Sequence, residues 1–391
     1  MAWHSPAVIS IVFAVCYAVG VAQRAVQESS VQSRTGQSEN SEFRPINGII
    51  ELNVRPSQVL FHQGSVFVAS WHDQQILSFD TETGKLLAKF DAFDQYEHLN
   101  SDGKVLTGSS RPGSMAVAKE RLFVNQAFGS SILVLDSRTL REITRIELDK
   151  PSQGKVTAAP DGNAVYFASN IERAFYAFDP FCTWLKRTPY PDGGHGIGAV
   201  VVSPDSRRLY LGIQRGASAD NADPPSELAG KVNPLEQLYG GPMLSIYDVA
   251  EERYIASKSI GDTMLERGVD SSIASGMVFS NDAKSLFISM RQCVVGVHIF
   301  GVAQNRLLKP VAFPTTLERH RIRGCNDVVV HDDKVFVALL SNDVIKVVDP
   351  VTQTIENTID CGEQVSNMAV FEKKLYACQT KQKRILVFEI Q

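Results

Sequence analysis

The sequence predicts an all-β protein: a seven-bladed β-propeller of four-stranded antiparallel blades, closed by an N-terminal strand that completes the last blade. Three observations predict it. A pattern of short apolar strand, turn, strand with a central aromatic, and strand ending in an acid returns seven times after residue 46. The aromatic and the acid stand 13 residues apart in five of the seven units. The last unit ends after its third strand, while a spare strand precedes the first.

The central aromatics are Phe67, Phe123, Tyr166, Tyr210, Phe287, Phe336 and Tyr376. Third strands end at Asp80, Asp136, Asp179, Asp248, Asp349 and Glu389, with Gly301 in the fifth unit. Within a strand, Ile76, Ser78 and Asp80 alternate with Leu77 and Phe79, the period of two that a pleated strand requires. The fifth unit carries one extra residue, and the fourth carries 25 between its second and third strands. Without that insertion the repeat averages about 46 residues, the size of a four-stranded propeller blade and longer than a solenoid repeat. Fourth strands follow, as in Glu142 to Leu148. Asn47 to Val54 (NGIIELNV) has the length and alternation to serve as the outer strand of the seventh blade, and such closure removes exposed sheet edges.

Upstream, Ala7 to Ala22 is an uncharged apolar run of 16 residues, short for a membrane span, ending in the small-x-small pattern Gly20-Val21-Ala22. The reading is a signal peptide over 1–22, a disordered polar linker over 23–42 and the propeller over 43–391. The protein is then secreted or periplasmic; an uncleaved N-terminal membrane anchor is the alternative. The linker is rich in Gln, Ser and Glu and cannot bury enough apolar surface to order itself. Beyond Ala22 stand Cys182, Cys293, Cys325, Cys361 and Cys378, an odd and sparse set unlike a disulfide framework. Cys293 with Cys325 and Cys361 with Cys378 are the possible pairs, and buried free thiols the alternative. Hydrophobic residues at 44% and charged residues at 21% exclude wholesale disorder and a polytopic membrane protein. A net charge of -4 lacks the positive footprint of a nucleic-acid binder.

The units resemble the YVTN/YncE-like family of seven-bladed propellers. The resemblance is carried by VVVSPDSRRLYLGI at Val200 to Ile213, TAAPDGNAVYFAS at Thr157 to Ser169, MVFSNDAKSLFIS at Met277 to Ser289 and IKVVDPVTQTI at Ile345 to Ile355, and it covers nearly all of 46–391. It implies the fold more than the chemistry, because relatives include binding proteins, lactonase-like enzymes and heavy chains of quinoprotein dehydrogenases. The Ser-Pro-Asp and Asp-x-x-Thr-Gly pieces are turn chemistry, in which Pro204 presets φ and Asp80 bonds its own backbone ahead of Gly84.

A site is expected where blade-to-blade loops and loops between second and third strands emerge together, the top face. The long loops fall there: Asp91 to Gly113, Gly216 to Gly241, Gly261 to Ser275 and Pro314 to Gly324. Arg111, Arg173, Arg215, Arg291, Arg319, Arg321 and Arg323 project from these segments with His72, His98, His195 and His320. Arginines gathered at a mouth favour an anionic ligand through bidentate contacts. The bland alternative is solvated arginines paired with Asp94, Glu97, Asp220, Asp223, Glu227 and Glu266. The expected ligand contacts are Arg111, Arg173, Arg215, Arg291, Arg323, His72 and His195.

Aligned first residues of the innermost strands are Gln58, Ser114, Lys155, Ala199, Gly276, Asp327 and Asn367. Asp327 and Asn367 resemble part of the oxygen cage of calcium-dependent lactonases of the gluconolactonase type, which implies a divalent cation such as calcium held there. Gln58 stands where a glutamate would be needed. The histidines lack the short spacing that fixes two metal ligands on one element. No G-x-S-x-G elbow, phosphate loop, H-E-x-x-H or C-x-x-C-H sequence occurs. The first reading is a non-catalytic scaffold whose top face binds a small anionic ligand or a protein partner. The alternatives are a metal-dependent, lactonase-like hydrolase and a scaffold subunit of a periplasmic quinoprotein-type redox complex.

Overall fold

The structure, a computed structural model, describes residues 43–45, 47–99, 105–150, 153–191, 194, 196–216, 239–260, 273–291, 296–313, 324–340 and 343–390. No α-helix occurs among them, and none therefore is long and apolar enough to cross a membrane. One compact unit comprises Ser41–Gln95 and Ser109–Gln391. Within it the strands form seven antiparallel sheets.

Blade 1 runs Gln58–His62, Ser65–Ser70, Gln75–Asp80 and Leu86–Phe90 from the centre outward. Blades 2, 3 and 4 begin at Arg111, Gly154 and Gly196, and blades 5, 6 and 7 at Ile273, Cys325 and Asn367. Each inner strand packs against the inner strands of the blades before and after it, and the seventh packs against the first, so the ring is closed. The outer strand of blade 5 is split into Arg306–Leu307 and Val311–Ala312. Pro310 lies in the gap and has no N–H to give the ladder.

Closure follows the reading from the sequence. Ile49–Glu51 pairs antiparallel with Arg384–Glu389 as the outer strand of blade 7, matching Ile49 with Leu386 and Glu51 with Arg384. The pairing extends through Leu52 N–H to Lys383 O at 2.8 Å and Val387 N–H to Gly48 O at 2.7 Å.

Alternation along each strand buries one face against the preceding blade and one against the following. The apolar core accordingly divides into seven layers, one at each blade junction. The layer joining blades 7 and 1 takes Phe43, Ile50, Leu52 and Val54 from the N-terminal segment. All seven repeat aromatics are buried. The acids ending the third strands cap the turns that follow: Asp80 Oδ1 accepts Thr83 N–H at 2.6 Å, Asp136 Oδ1 accepts Thr139 N–H at 2.8 Å and Asp349 Oδ1 accepts Val351 N–H at 2.7 Å.

The segment read as a long loop at Asp91 to Gly113 is more ordered than expected. It contains a two-stranded hairpin, Gln95–Leu99 with Val105–Ser109, and Tyr96–Gly108 belong to a separate compact unit. Cys361 and Cys378 are free thiols, as is Cys182, so the pairing of Cys361 with Cys378 is not formed. Residues 1–42 and Cys293 lie outside the described residues.

Candidate binding site at the channel mouth

The aligned residues near the entrances of the inner strands form a belt of hydrogen bonds between blades. Gln58 Oε1 accepts Met115 N–H at 3.0 Å, joining blade 1 to blade 2. Ser114 Oγ accepts Val156 N–H at 2.8 Å, joining blade 2 to blade 3. Asp327 Oδ2 accepts Met368 N–H at 2.8 Å, joining blade 6 to blade 7, and Asn367 Oδ1 accepts Val59 N–H at 2.9 Å, joining blade 7 to blade 1. In each case a side chain satisfies the amide one residue past the equivalent position of the next blade, a donor facing the channel with no strand beside it. Asn367 Nδ2 also donates to Asp327 Oδ2 at 2.8 Å, while Asp327 Oδ1 accepts Val328 N–H at 2.9 Å.

The belt is interrupted at Lys155, Ala199 and Gly276, which carry no acceptor. Gly276 leaves the space that Asp327 uses: a Cβ there would stand 2.9 Å from Asp327 Oδ1. Lys155 makes no hydrogen bond or ion pair with the described residues. Its surface is exposed, yet the protein around it leaves the ammonium poorly solvated. That desolvation pulls its pKa down, as does Arg291, with Asp327 opposing them. Asp327 is pushed up to about 6 by burial, against the donors Met368 and Val328, the charge of Lys155 and the amide of Asn367.

A second group of cations lies on the top face between blades 1 and 2. Asp73, in the loop after Ser70, accepts Arg55 Nη2 at 2.8 Å, Arg55 N–H at 2.6 Å and Ser70 Oγ at 2.8 Å. Burial raises the Asp73 pKa, but these bonds and the Arg55 charge outweigh it and hold the carboxyl at about 2. The loop so anchored presents Trp71 and His72. The Arg111 guanidinium lies over the Trp71 ring, 5.7 Å from its centroid, and Phe128 of blade 2 meets the same ring edge-on at 5.9 Å. Arg111 has no ion-pair or hydrogen-bond partner among the described residues, and its Nε is buried. His72 is exposed; partial burial and the charges of Arg55 and Arg111 lower its pKa, with Asp73 opposing them.

Asp94, an acid expected to neutralise the mouth, is engaged elsewhere. It pairs with Arg145 of blade 2 and accepts Gln126 Nε2 at 2.9 Å and Ser131 Oγ at 2.8 Å. Arg111 is therefore left without that counter-charge.

Of the expected ligand contacts, the structure brings Arg111 and His72 together and sets Arg291 within electrostatic reach of Lys155. Arg173 is exposed in the loop before the third strand of blade 3 and joins neither group. Arg215 lies in the strand Arg208–Gly216, with its side chain outside the described residues, where His195, Arg319, His320, Arg321 and Arg323 also fall. His98 lies on the separate hairpin. Asp327 and Asn367 do come together, but through bonds to each other and to backbone amides. No group of three or more His, Cys, Asp or Glu suited to a metal is assembled among the described residues. Arg55 and Lys155 were missed as site residues. Arg55 stands three residues before Gln58 as Arg111 stands three before Ser114, and that match was the available signal.

The fold is shared with solved structures of very different sequence. One is titled Kuenenia stuttgartiensis hydrazine synthase, with a TM-score of 0.62, 13% identity, and coverage of 92% of this chain and 99% of that one. The Cps50 (Swd1) β-propeller domain of Myceliophteria thermophila superposes with a TM-score of 0.61 at 13% identity, covering 87% of this chain and 98% of that one. The chain is a seven-bladed β-propeller. The computationally designed Ika8 protein also matches, with a TM-score of 0.53 and 13% identity over 90% of this chain and all of that one. At such identities the likeness is one of fold alone. No family model and no curated protein matches the sequence.

Proposed function

We propose that this propeller is an exported binding scaffold that takes an anionic group at the mouth of its channel, between blades 1 and 2. The observation that carries the reading is Arg111: its guanidinium rests on Trp71, its Nε is buried without an acceptor, and the nearby Asp94 is held by Arg145. A buried charge-bearing donor left unmatched is costly, and a carboxylate or phosphate oxygen supplies the missing acceptor. Arg55 and the neutral imidazole of His72 add positive field and a further donor. The apolar run at Ala7 to Ala22 and the resemblance to YVTN/YncE-like propellers support export.

The test is calorimetric titration of the mature chain with citrate and with inorganic phosphate, comparing wild type with Arg111→Ala and Arg111→Lys. Loss of a charge-assisted bond predicts affinity lower by roughly tenfold or more in Arg111→Ala, with Arg111→Lys recovering only part because it lacks the planar fork. Melting temperature should change little, since Arg111 holds no partner of its own. Equal affinities in all three proteins would remove Arg111 from the site.

A further inference from the structure

Away from the mouth, the turns on the opposite face line a half-open cavity of about 370 Å³ between blades 4 and 5. Volumes from about 300 Å³ upward are typical of small-molecule sites. Arg208 and Tyr210 reach it from the second strand of blade 4, Ile246 and Ile255 from its third and fourth strands. Ala283, Lys284, Val302, Ala303 and Asn305 reach it from two turns of blade 5.

Tyr210 is the decisive wall. It is the repeat aromatic of blade 4, wholly buried, and its ring is fixed edge-on against Phe279 at 5.2 Å and Phe300 at 6.2 Å. Its hydroxyl is buried with no partner in good hydrogen-bond geometry; burial raises its pKa, and the Arg208 side chain, in loose hydrogen-bond contact, opposes that. Four of the seven equivalent positions carry Phe, which provides the same packing without the hydroxyl. Burying an unmatched hydroxyl costs about 1–3 kcal/mol. Packing therefore does not account for a tyrosine here, and a partner inside the cavity does.

The charges around the cavity indicate its sign. Arg208 makes no ion pair among the described residues. Lys284 pairs with Asp282 at 3.0 Å, but both are largely exposed. Asp205 is occupied by Ser203 Oγ at 2.5 Å and Arg207 N–H at 3.1 Å, and Asp248 by the amides of Ala250 at 3.0 Å and Glu251 at 2.9 Å. Blade 5 is also the blade whose third strand ends in glycine, Gly301, where each of the others has an acid. The turn that forms one wall thus lacks the carboxylate that would repel an anion.

We infer that the cavity between blades 4 and 5 binds a small monocarboxylate with an apolar body, its carboxylate on Tyr210 Oη and Arg208 and its body against Ile246, Ile255 and Val302. This site is separate from the channel mouth and does not rest on it.

Octanoate is the probe, with octanol and octylammonium as its neutral and cationic counterparts, titrated calorimetrically into the full mature chain. Octanoate should bind, octanol at least about tenfold more weakly for want of the charge-assisted bonds, and octylammonium not measurably. Tyr210→Phe and Arg208→Gln should each weaken octanoate by about tenfold, while leaving citrate binding at the mouth unchanged. Ligand-free Tyr210→Phe should melt at the wild-type temperature or above, because it removes an unmatched buried hydroxyl. Failure of octanoate to bind the wild type, equal binding by Tyr210→Phe, or a lower melting temperature for ligand-free Tyr210→Phe would each overturn the inference, the last by showing that the hydroxyl already has a partner such as water.

Discussion

Replacing Asn367 with aspartate would put a second carboxylate where the Nδ2 amide now donates to Asp327 Oδ2 at 2.8 Å. Two full charges at that distance repel by about 6 kcal/mol at an effective dielectric of about 20, so the folded pair should keep one proton between them. Val59 N–H would retain its acceptor, and the shared proton would rebuild the lost bond. The cost then becomes that of carrying a proton the unfolded chain has released. The folded state binds more protons than the unfolded state, so stability falls as pH rises, by about 1.4 kcal/mol per unit from about pH 4 up to the pair's own pKa. Wild-type Asp327 does the same only up to about 6. Asn367→Asp minus wild type should therefore change little up to about pH 6, where both lose stability alike, and then grow by about 1.4 kcal/mol per unit, to about 2 kcal/mol at pH 7.5. Urea unfolding across this range measures it, and Asn367→Ala, which adds no charge, should show only the smaller rise above pH 6 that loss of the Nδ2 donor to Asp327 brings. A flat difference for Asn367→Asp would refute the bond between the two side chains and the belt built on it.

Other outcomes follow from the same geometry. Ile50 is fully buried in the layer joining blades 7 and 1, and Ile50→Ala should cost about 2–5 kcal/mol in urea unfolding; a change under 1 kcal/mol would mean that the closing strand adds little. His298 is buried and its pKa lowered to about 4, so the unfolded chain takes the proton first. Stability should fall between pH 6.5 and 4, by about 3 kcal/mol from this residue, and His298→Leu should flatten that part of the profile; an unchanged profile would exclude it. Anion affinity at the mouth should rise as pH falls below 6.5, because protonated His72 adds a charge beside Arg111, and His72→Gln should abolish the rise. EDTA should leave the melting temperature unchanged, since Asp327 and Asn367 direct their oxygens to amides; a stoichiometric divalent ion whose removal lowers it would favour the hydrolase reading.

What was legible in the sequence was what repeats. The spacing from Phe67 to Asp80 and its counterparts recorded strand length and turn geometry, so blade number, register and the closing role of Ile49–Glu51 followed from it. The alignment of Gln58, Ser114, Asp327 and Asn367 was also recoverable, because all occupy the same place in their blades. Their role was not, since each bonds a backbone amide in the next blade, and an amide has no residue type to recognise. Singular contacts were hidden for a similar reason. Asp73 is one more loop acid in the sequence, and only the fold brings Arg55 onto it. Tyr210 read as one more core aromatic; a hydroxyl without a partner is a property of its surroundings. Cys361 and Cys378 belong to adjacent repeats, yet both are free thiols, with burial pushing each pKa up.

The joint between the chain's two ends has a consequence for how the protein is made. Ile49 finds its partner at Leu386, and Val59 and Asn367, 308 positions apart, share a bond across the same junction. On the ribosome the first strand to emerge must wait, with Ile50, Leu52 and Val54 uncovered, until almost the whole chain has followed. Synthesis at about 5–20 residues per second makes that wait tens of seconds, long enough for a chaperone to be the strand's first companion. The same arrangement slows undoing: neither terminus can peel away without opening the ring. Resistance to proteases should then depend on how seldom this one seam parts, more than on the average strength of the blades.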